Sequence, residues 1–170
     1  MSRPIATAKE RNETHEAHEE RCWKERCHTN GDDQLIIPPT MFVRSIQAAA
    51  KYKSVQIPGK GKSTYTKHFE AGVLCPEPLE LGITLDDVEG ERLFLDASPG
   101  SASGTRVWKI YPCIRKWAGE ITFIILDEII TKEVFETHLV DAGQFIGIGR
   151  WRPRNGGMYG RYRVKKIEWK

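Results

Sequence analysis

Apolar positions recur at three- and four-residue spacing in two stretches. In "TMFVRSIQAAAKYK" (40–53), Phe42, Val43, Ile46, Ala49 and Ala50 fall on one side of a helix, with Thr40 placed as its N-cap. In "TKEVFETHLVDAG" (131–143), Val134, Phe135, Leu139 and Ala142 do the same, with Thr131 as N-cap and Gly143 just past the end. Residues 10–28 are rich in helix formers and hold no Gly or Pro, so they predict a third helix, mostly polar, with Trp23 as its anchor.

Strands are predicted elsewhere. "HFEAGVLC" (68–75) and "TRVWKIYPCI" (105–114) read as one strand each, and "LELGITLDDVEGERLFLDA" (79–97) as two strands around its Asp-Asp turn. "EITFIILDEII" (120–130), apolar and β-branched, reads as the central strand of a sheet. "YRVKKIEW" (162–169) closes the chain as a strand with Tyr162, Val164 and Ile167 facing inward. "QLIIPP" (34–39) is a short extended piece ended by prolines, while "SVQIPGKGKSTYTK" (54–67) and "SPGSASG" (98–104) are loops.

Two helices on one face of an antiparallel sheet predict an α+β, ferredoxin-like sandwich over residues 34–170, with residues 1–33 as a helical extension. The strand that should precede the helix at 40–52 is short or absent, since only "QLIIP" is available to form it.

At 170 residues, 39% apolar and 29% charged, the chain has the composition of a globular protein with a real core. Its longest apolar run, Ile121–Leu126, is too short to span a bilayer, and no secretory signal opens it. A cytoplasmic protein is expected, its four irregularly spaced cysteines reduced. Net charge is +3, but its distribution is uneven: residues 150–170 carry eight Lys/Arg against Glu168. Residues 51–69 carry Lys51, Lys53, Lys60, Lys62 and Lys67 with no acid, whereas 10–33 is acidic on balance. Basic charge sorted into two segments implies a polyanionic partner.

The chemistry concentrates in "GIGRWRPRNGGMYGRYRV" (147–164), where five glycines and five arginines surround Trp151, Tyr159 and Tyr162. Glycines let a backbone approach a ligand, guanidinium groups donate to phosphates, and flat rings stack on unpaired bases. The candidate nucleic-acid contacts are Gly147, Gly149, Arg150, Trp151, Arg152, Arg154, Gly157, Tyr159, Gly160, Arg161 and Arg163. Arg44 in the first long helix and Lys60, Lys62 and Lys67 in the Lys-rich loop join them. The opposite reading is a loop whose aromatics fill the core and whose glycines serve packing. "GKGKST" lacks Walker A spacing, and the glycine loop follows a helix where a dinucleotide fingerprint would follow a strand.

"LVDAGQFIGIGRWRPRNGGMYGRYRV" resembles the C-terminal glycine-rich loop of the RAMP superfamily, the RRM-like proteins that form backbone and processing subunits of CRISPR effector complexes. Gly147, Ile148 and Gly149 match the first half of that pattern and Gly157, Met158, Tyr159 and Gly160 the second, with one extra residue and a longer stretch between. "IIPPTMFVRSIQAAAK" is similar to the family's segment opening its first helix, with Pro39 in place of Gly, Thr40 for a Ser and Arg44 as the basic residue. The C-terminal segment, with "GKGKSTYTKHFEAG" and "RVWKIYP", also resembles small phage proteins. These resemblances imply an RRM-like fold, RNA binding through the glycine loop, assembly beside CRISPR-type subunits or further copies of the chain, and a bacterial host cell.

The expected function is therefore binding of single-stranded RNA or DNA, without a cofactor, a membrane or a resident metal. One alternative is a protein-interaction or self-assembling subunit that mimics or blocks a CRISPR backbone subunit. Another is a metal-independent endoribonuclease with His68 as its catalytic histidine, since some RAMP proteins cut RNA with one. Two sets of side chains could hold a metal, though ordinary structural roles account for both: zinc at His18, Cys22, Cys27 and His28, and magnesium at Asp127 and Glu128 or Asp86 and Asp87.

Overall fold

A computed structural model describes residues 3–96 and 104–170. The loop expected at 98–104 lies, except for Gly104, outside them. Among the described residues the chain is mixed α+β, with four α-helices and three two-stranded ladders where one antiparallel sheet was expected. The expected division at 33/34 is not the one found: residues 37–79 with 120–170 make one unit, and residues 2–36 with 80–119 make the other.

In the first unit, helix α2 (Pro39–Lys53) buries Phe42, Ser45, Ile46, Ala49 and Ala50. Its N-cap is Pro38 rather than Thr40. Pro39 fits the first turn because its fixed φ is helical and its missing N–H would have had no partner there. Helix α3 (Thr66–Gly72) occupies most of the segment read as a strand, leaving β2 only Val73–Leu74. Tyr65, Phe69 and Val73 recur every four residues and all enter the core, so the 3.6-residue period prevails.

The presumed central strand is also cut short. β6 (Ile124–Ile125) pairs antiparallel with β2, Val73 opposite Ile125 and Leu74 opposite Ile124. Phe123 and Ile125 pack on the core while Ile124 and Leu126 are exposed, so one face is uncovered and the strand is not central. Asp127 then turns the chain, its Oδ1 accepting from the Ile129 N–H at 3.0 Å.

Helix α4 (Lys132–Asp141) starts as expected, with Thr131 Oγ1 accepting from the Val134 N–H. It does not end at Gly143: a π-turn, Ala142–Ile146, extends it to Gly147 at φ +70°. Gly143 instead lets Tyr162 press on the helix, where a Cβ would overlap the Tyr162 carbonyl. Residues 162–169 form no ladder, yet Tyr162, Val164 and Ile167 do face the core, joined by Trp169, whose indole donates to Glu136 at 2.7 Å. The core itself is Ile46, Phe69, Phe135, Leu139 and Ile146 with their neighbours.

In the second unit, α1 is His15–Cys22, shorter than predicted because Asn12 turns at φ +67° and Thr14 caps the helix at Ala17. A 3-10 turn, Trp23–Arg26, follows. β1 (Gln34–Ile37), the short first strand anticipated, pairs with β3 (Leu79–Thr84). β4 (Glu89–Asp96) and β5 (Arg106–Cys113) form an antiparallel ribbon with Phe94 opposite Trp108. Trp23 does pack inward, with Leu81, Ile83 and Ile114 around buried Cys27, Leu35 and Val88. Its companion was not anticipated: Glu19, 2% exposed, accepts two hydrogen bonds from Arg26 at 2.7 and 2.9 Å and one from Lys109 at 2.6 Å.

Candidate nucleic-acid interface

The glycine-arginine loop is braced by its own backbone. Gly147 N–H donates to Ala142 O at 2.7 Å, Ile148 N–H to Gly160 O at 2.9 Å, and Tyr159 N–H to Trp151 O at 2.9 Å. Pro153–Asn155 forms a 3-10 turn closed by Gly156 at φ +77°. Asn155 Nδ2 donates to Arg150 O at 2.9 Å and Arg161 Nε to Gln144 O at 3.2 Å. Ser45 Oγ on α2 donates to Gly147 O at 3.0 Å, and the Tyr162 hydroxyl reaches Ser45 at 3.5 Å. Burial pushes the Tyr162 phenol up to about 12, so it remains a neutral donor.

This bracing decides what each candidate does. Gly147, Gly157 and Gly160 face protein: a Cβ there would meet Pro153, the Trp151 carbonyl and the Ile148 carbonyl respectively. They allow the two arms of the loop to touch. Gly149 has open space around it. Trp151 and Tyr159 are 37% and 39% exposed, with ring centroids 6.4 Å apart and planes 26° from parallel. They are surface rings braced against each other. Tyr162 belongs to the core instead.

The arginines divide in the same way. Arg150, Arg154, Arg161 and Arg163 are exposed, whereas Arg152 is partly buried. Its Nε is shielded from solvent and has no hydrogen-bond acceptor. Burial, then repulsion from Arg154 and from Arg44, lowers the basicity of Arg152. Arg154 and Arg44 on α2 are thus near enough to Arg152 for their charges to be felt there. Among the described residues, no carboxylate forms an ion pair with any of the three.

A second constellation arises from the Lys-rich loop, α3 and the turn after β6. The loop is folded on itself: Ile57 N–H donates to Ser63 O at 2.8 Å, and Ile57 and Tyr65 are buried. Lys60 and Lys62 point to solvent from the tight turn between these anchors, and Lys67 is exposed on α3. His68 Nδ1 lies 2.6 Å from Asp127 Oδ2. The His68 hydrogen bond, then the Ile129 N–H, hold the Asp127 carboxyl below its usual range, and Lys60 adds to this. His68 and Asp127 stand 59 positions apart in the sequence, where nothing links them. Only the antiparallel β2–β6 pairing brings them side by side.

Several residues of the candidate metal sets have other partners. Asp86 pairs with Lys24 at 3.0 Å, and Asp87 caps Thr84. His18 Nε2 meets Thr7 O at 2.9 Å, and burial raises the Cys22 thiol and pushes that of Cys27 up to about 11. No group of three or more His, Cys, Asp or Glu side chains converges among the described residues. Nor is any helix among them long and apolar enough to cross a membrane. Comparison with protein-family models, with curated proteins and with solved structures finds no match.

Proposed function

We propose that this chain binds single-stranded nucleic acid, RNA foremost, through the glycine-arginine loop and Arg44. One observation carries the reading: exposed rings at Trp151 and Tyr159 stand in the loop that holds Arg152 and Arg154, and among the described residues no carboxylate forms an ion pair with those two or with Arg44. Phosphates supply the missing charge and unstacked bases lie on the rings, each worth about 1–3 kcal/mol. Lys60, Lys62 and Lys67 extend the electrostatic capture. In this reading the unit holding α2, β2, β6 and α4 is an abbreviated RAMP-like, ferredoxin-like domain, acting in the cytoplasm of a bacterial host. Anisotropy titration with a labelled single-stranded RNA across a salt series tests it. Affinity falls steeply with salt, by about 0.7 in log–log slope per phosphate neutralised. Salt-independent or absent binding defeats the reading.

Two observations favour the other readings. The His68–Asp127 pair suits an endoribonuclease. Asp127 fixes the proton on Nδ1 and leaves the Nε2 lone pair to accept the proton of a 2′-hydroxyl. As that oxygen bonds to the adjacent phosphorus, the P–O5′ bond breaks and the leaving oxygen takes a proton from water. Cleavage to 2′,3′-cyclic phosphate ends by wild type, absent in His68→Ala, supports it; intact RNA removes it. The exposed apolar side of the β2–β6 ladder (Leu74, Ile124 and Leu126) favours assembly with a protein partner. Light scattering with and without RNA distinguishes a polymer from a monomer.

A further inference from the structure

The segment that follows the glycine-arginine loop carries an unpaired backbone. Tyr162 N–H donates to Gly143 O at 3.2 Å, and beyond it, among the described residues, 163–170 make no backbone–backbone hydrogen bond. The segment has no turn or bend, and half-buried Tyr162, Val164, Ile167 and Trp169 interleave with exposed neighbours, so it is extended. A second tie, from the Trp169 indole N–H to Glu136 Oε1 at 2.7 Å, holds its far end to α4. Between the two ties lies a groove of about 610 Å³. One wall is Glu136, Thr137, Val140 and Asp141, a single face of α4, and the other is the run 164–167. Successive side chains of an extended chain point to opposite faces, so four consecutive residues border one groove only along a backbone edge. That edge offers N–H donors and C=O acceptors alike.

The chemistry of the groove selects its occupant. A nucleic-acid backbone brings phosphate acceptors, which answer the N–H groups and leave the carbonyls unmet, whereas a peptide strand answers both. A second copy of the segment sets Lys165 and Lys166 among like charges, which destabilises the pair. The acids of the helix wall are engaged, Asp141 with Lys53 at 2.9 Å and Glu136 with Trp169. On the opposite wall Lys166 pairs with exposed Glu168, and Lys165 forms no ion pair among the described residues. Val140, 49% exposed, gives the groove an apolar floor. We propose that the edge 164–167 accepts an acidic, extended segment of a partner protein as an added β-strand. Its backbone pairs along this edge, a carboxylate meets Lys165, and an apolar side chain rests on Val140. This surface is separate from the exposed side of the β2–β6 ladder and does not depend on the nucleic-acid reading.

Amide hydrogen exchange and anisotropy on the full chain test it, with a short labelled peptide of alternating Glu and Val as the probe. In the free protein the amides of 164–167 exchange as fast as those of exposed loops, and saturating peptide slows them about tenfold or more while the β4–β5 ribbon is unaffected. Lys165→Glu and Val140→Glu, both at exposed positions, each weaken peptide binding about tenfold. The same peptide methylated at its backbone nitrogens keeps its charge, loses its donors and binds about tenfold more weakly or worse. Protected amides at 164–167 in the free chain, equal binding of the methylated peptide, or no binding of the probe overturns strand addition. Equal binding of a Lys–Val peptide overturns the acidic partner. Displacement of the probe by a single-stranded RNA oligomer gives the groove to nucleic acid and overturns the inference, as does a dimer in light scattering that the probe fails to dissociate.

Discussion

Two clusters of like-charged side chains show opposite solutions to one electrostatic problem. In the second unit, Arg26 and Lys109 converge on Glu19, and Arg26 also donates to Ile110 O at 2.8 Å while lying 5.0 Å from the Tyr111 ring centroid. Every charge there has a partner, and the group ties the first helical segment to the β4–β5 ribbon. In the first unit, no carboxylate among the described residues forms an ion pair with Arg44, Arg152 or Arg154. A satisfied cluster is a strut, whereas an unsatisfied one destabilises the free protein and is relieved by an anionic ligand. What separates them is whether the fold supplies the counter-charge.

Removing Glu19 breaks the comparison most severely. Glu19→Gln strands the buried Arg26, and leaves the half-exposed Lys109 without its carboxylate, and costs about 3–5 kcal/mol, read as a shifted midpoint in denaturant unfolding. Oligomer binding by the remaining folded protein is unchanged. A loss under about 1 kcal/mol makes the cluster a surface pair and removes its role as a strut. Gly160→Ala comes next. It forces a Cβ into the Ile148 carbonyl at φ +75°, a conformation costing about 1–3 kcal/mol before the clash is counted. The loop opens, and both stability and oligomer affinity fall together.

The arginine cluster gives the reverse pattern. Replacing Arg152 and Arg154 with Ala weakens oligomer binding by about tenfold or more and flattens the salt slope by roughly 1.4, two single-strand phosphates' worth. Folding stability holds or rises, because like-charge repulsion is relieved. If stability drops and the slope stays, the arginines are scaffold.

How much of this was legible follows from the range of each interaction. The two long helices, the strands Glu89–Asp96 and Arg106–Cys113 and the Thr131 cap came from local periodicity and capping, which neighbouring residues determine. Residues 68–72 misled because "HFEAGVLC" is short enough to suit either period, and only the burial of Phe69 and Val73 against a distant core decides it. "EITFIILDEII" has high β-propensity, but Asp127 turns the chain toward α4 after two paired residues. Glu19 was hidden in a helix polar nearly all round, since nothing in residues 10–28 announces Lys109 across 90 residues. The arginines of the loop were visible as composition. That Arg152 turns in while Trp151 stays out, and that the charge of Arg44 is felt there, required the backbone.

The last prediction uses pH to distinguish the units and has the smallest effect. Glu19 is held near about 2 in the folded protein, far below its ordinary 4.5, by the bonds from Arg26 and Lys109 acting against burial. Its contribution is therefore complete above pH 4.5 and is lost as pH falls from 4.5 toward 2. In the first unit His138 is buried against Phe69, with ring centroids 4.6 Å apart, and Tyr65, with the Asp141–Lys53 pair nearby. Its Nδ1–H donates to Val134 O at 2.7 Å, and its Nε2 is buried without a partner. Burial lowers its pKa below 6.5, so the unfolded chain binds the proton more readily. Stability of the first unit begins to fall as pH drops through 6.5, by at most about 1.4 kcal/mol per pH unit, while the second unit holds until below 4.5. Fluorotryptophan NMR separates them through Trp151 and Trp169 on one side and Trp23 and Trp108 on the other. His138→Leu abolishes the first transition and leaves the second. Simultaneous loss at both sets of tryptophans in wild type shows instead that the two units unfold as one.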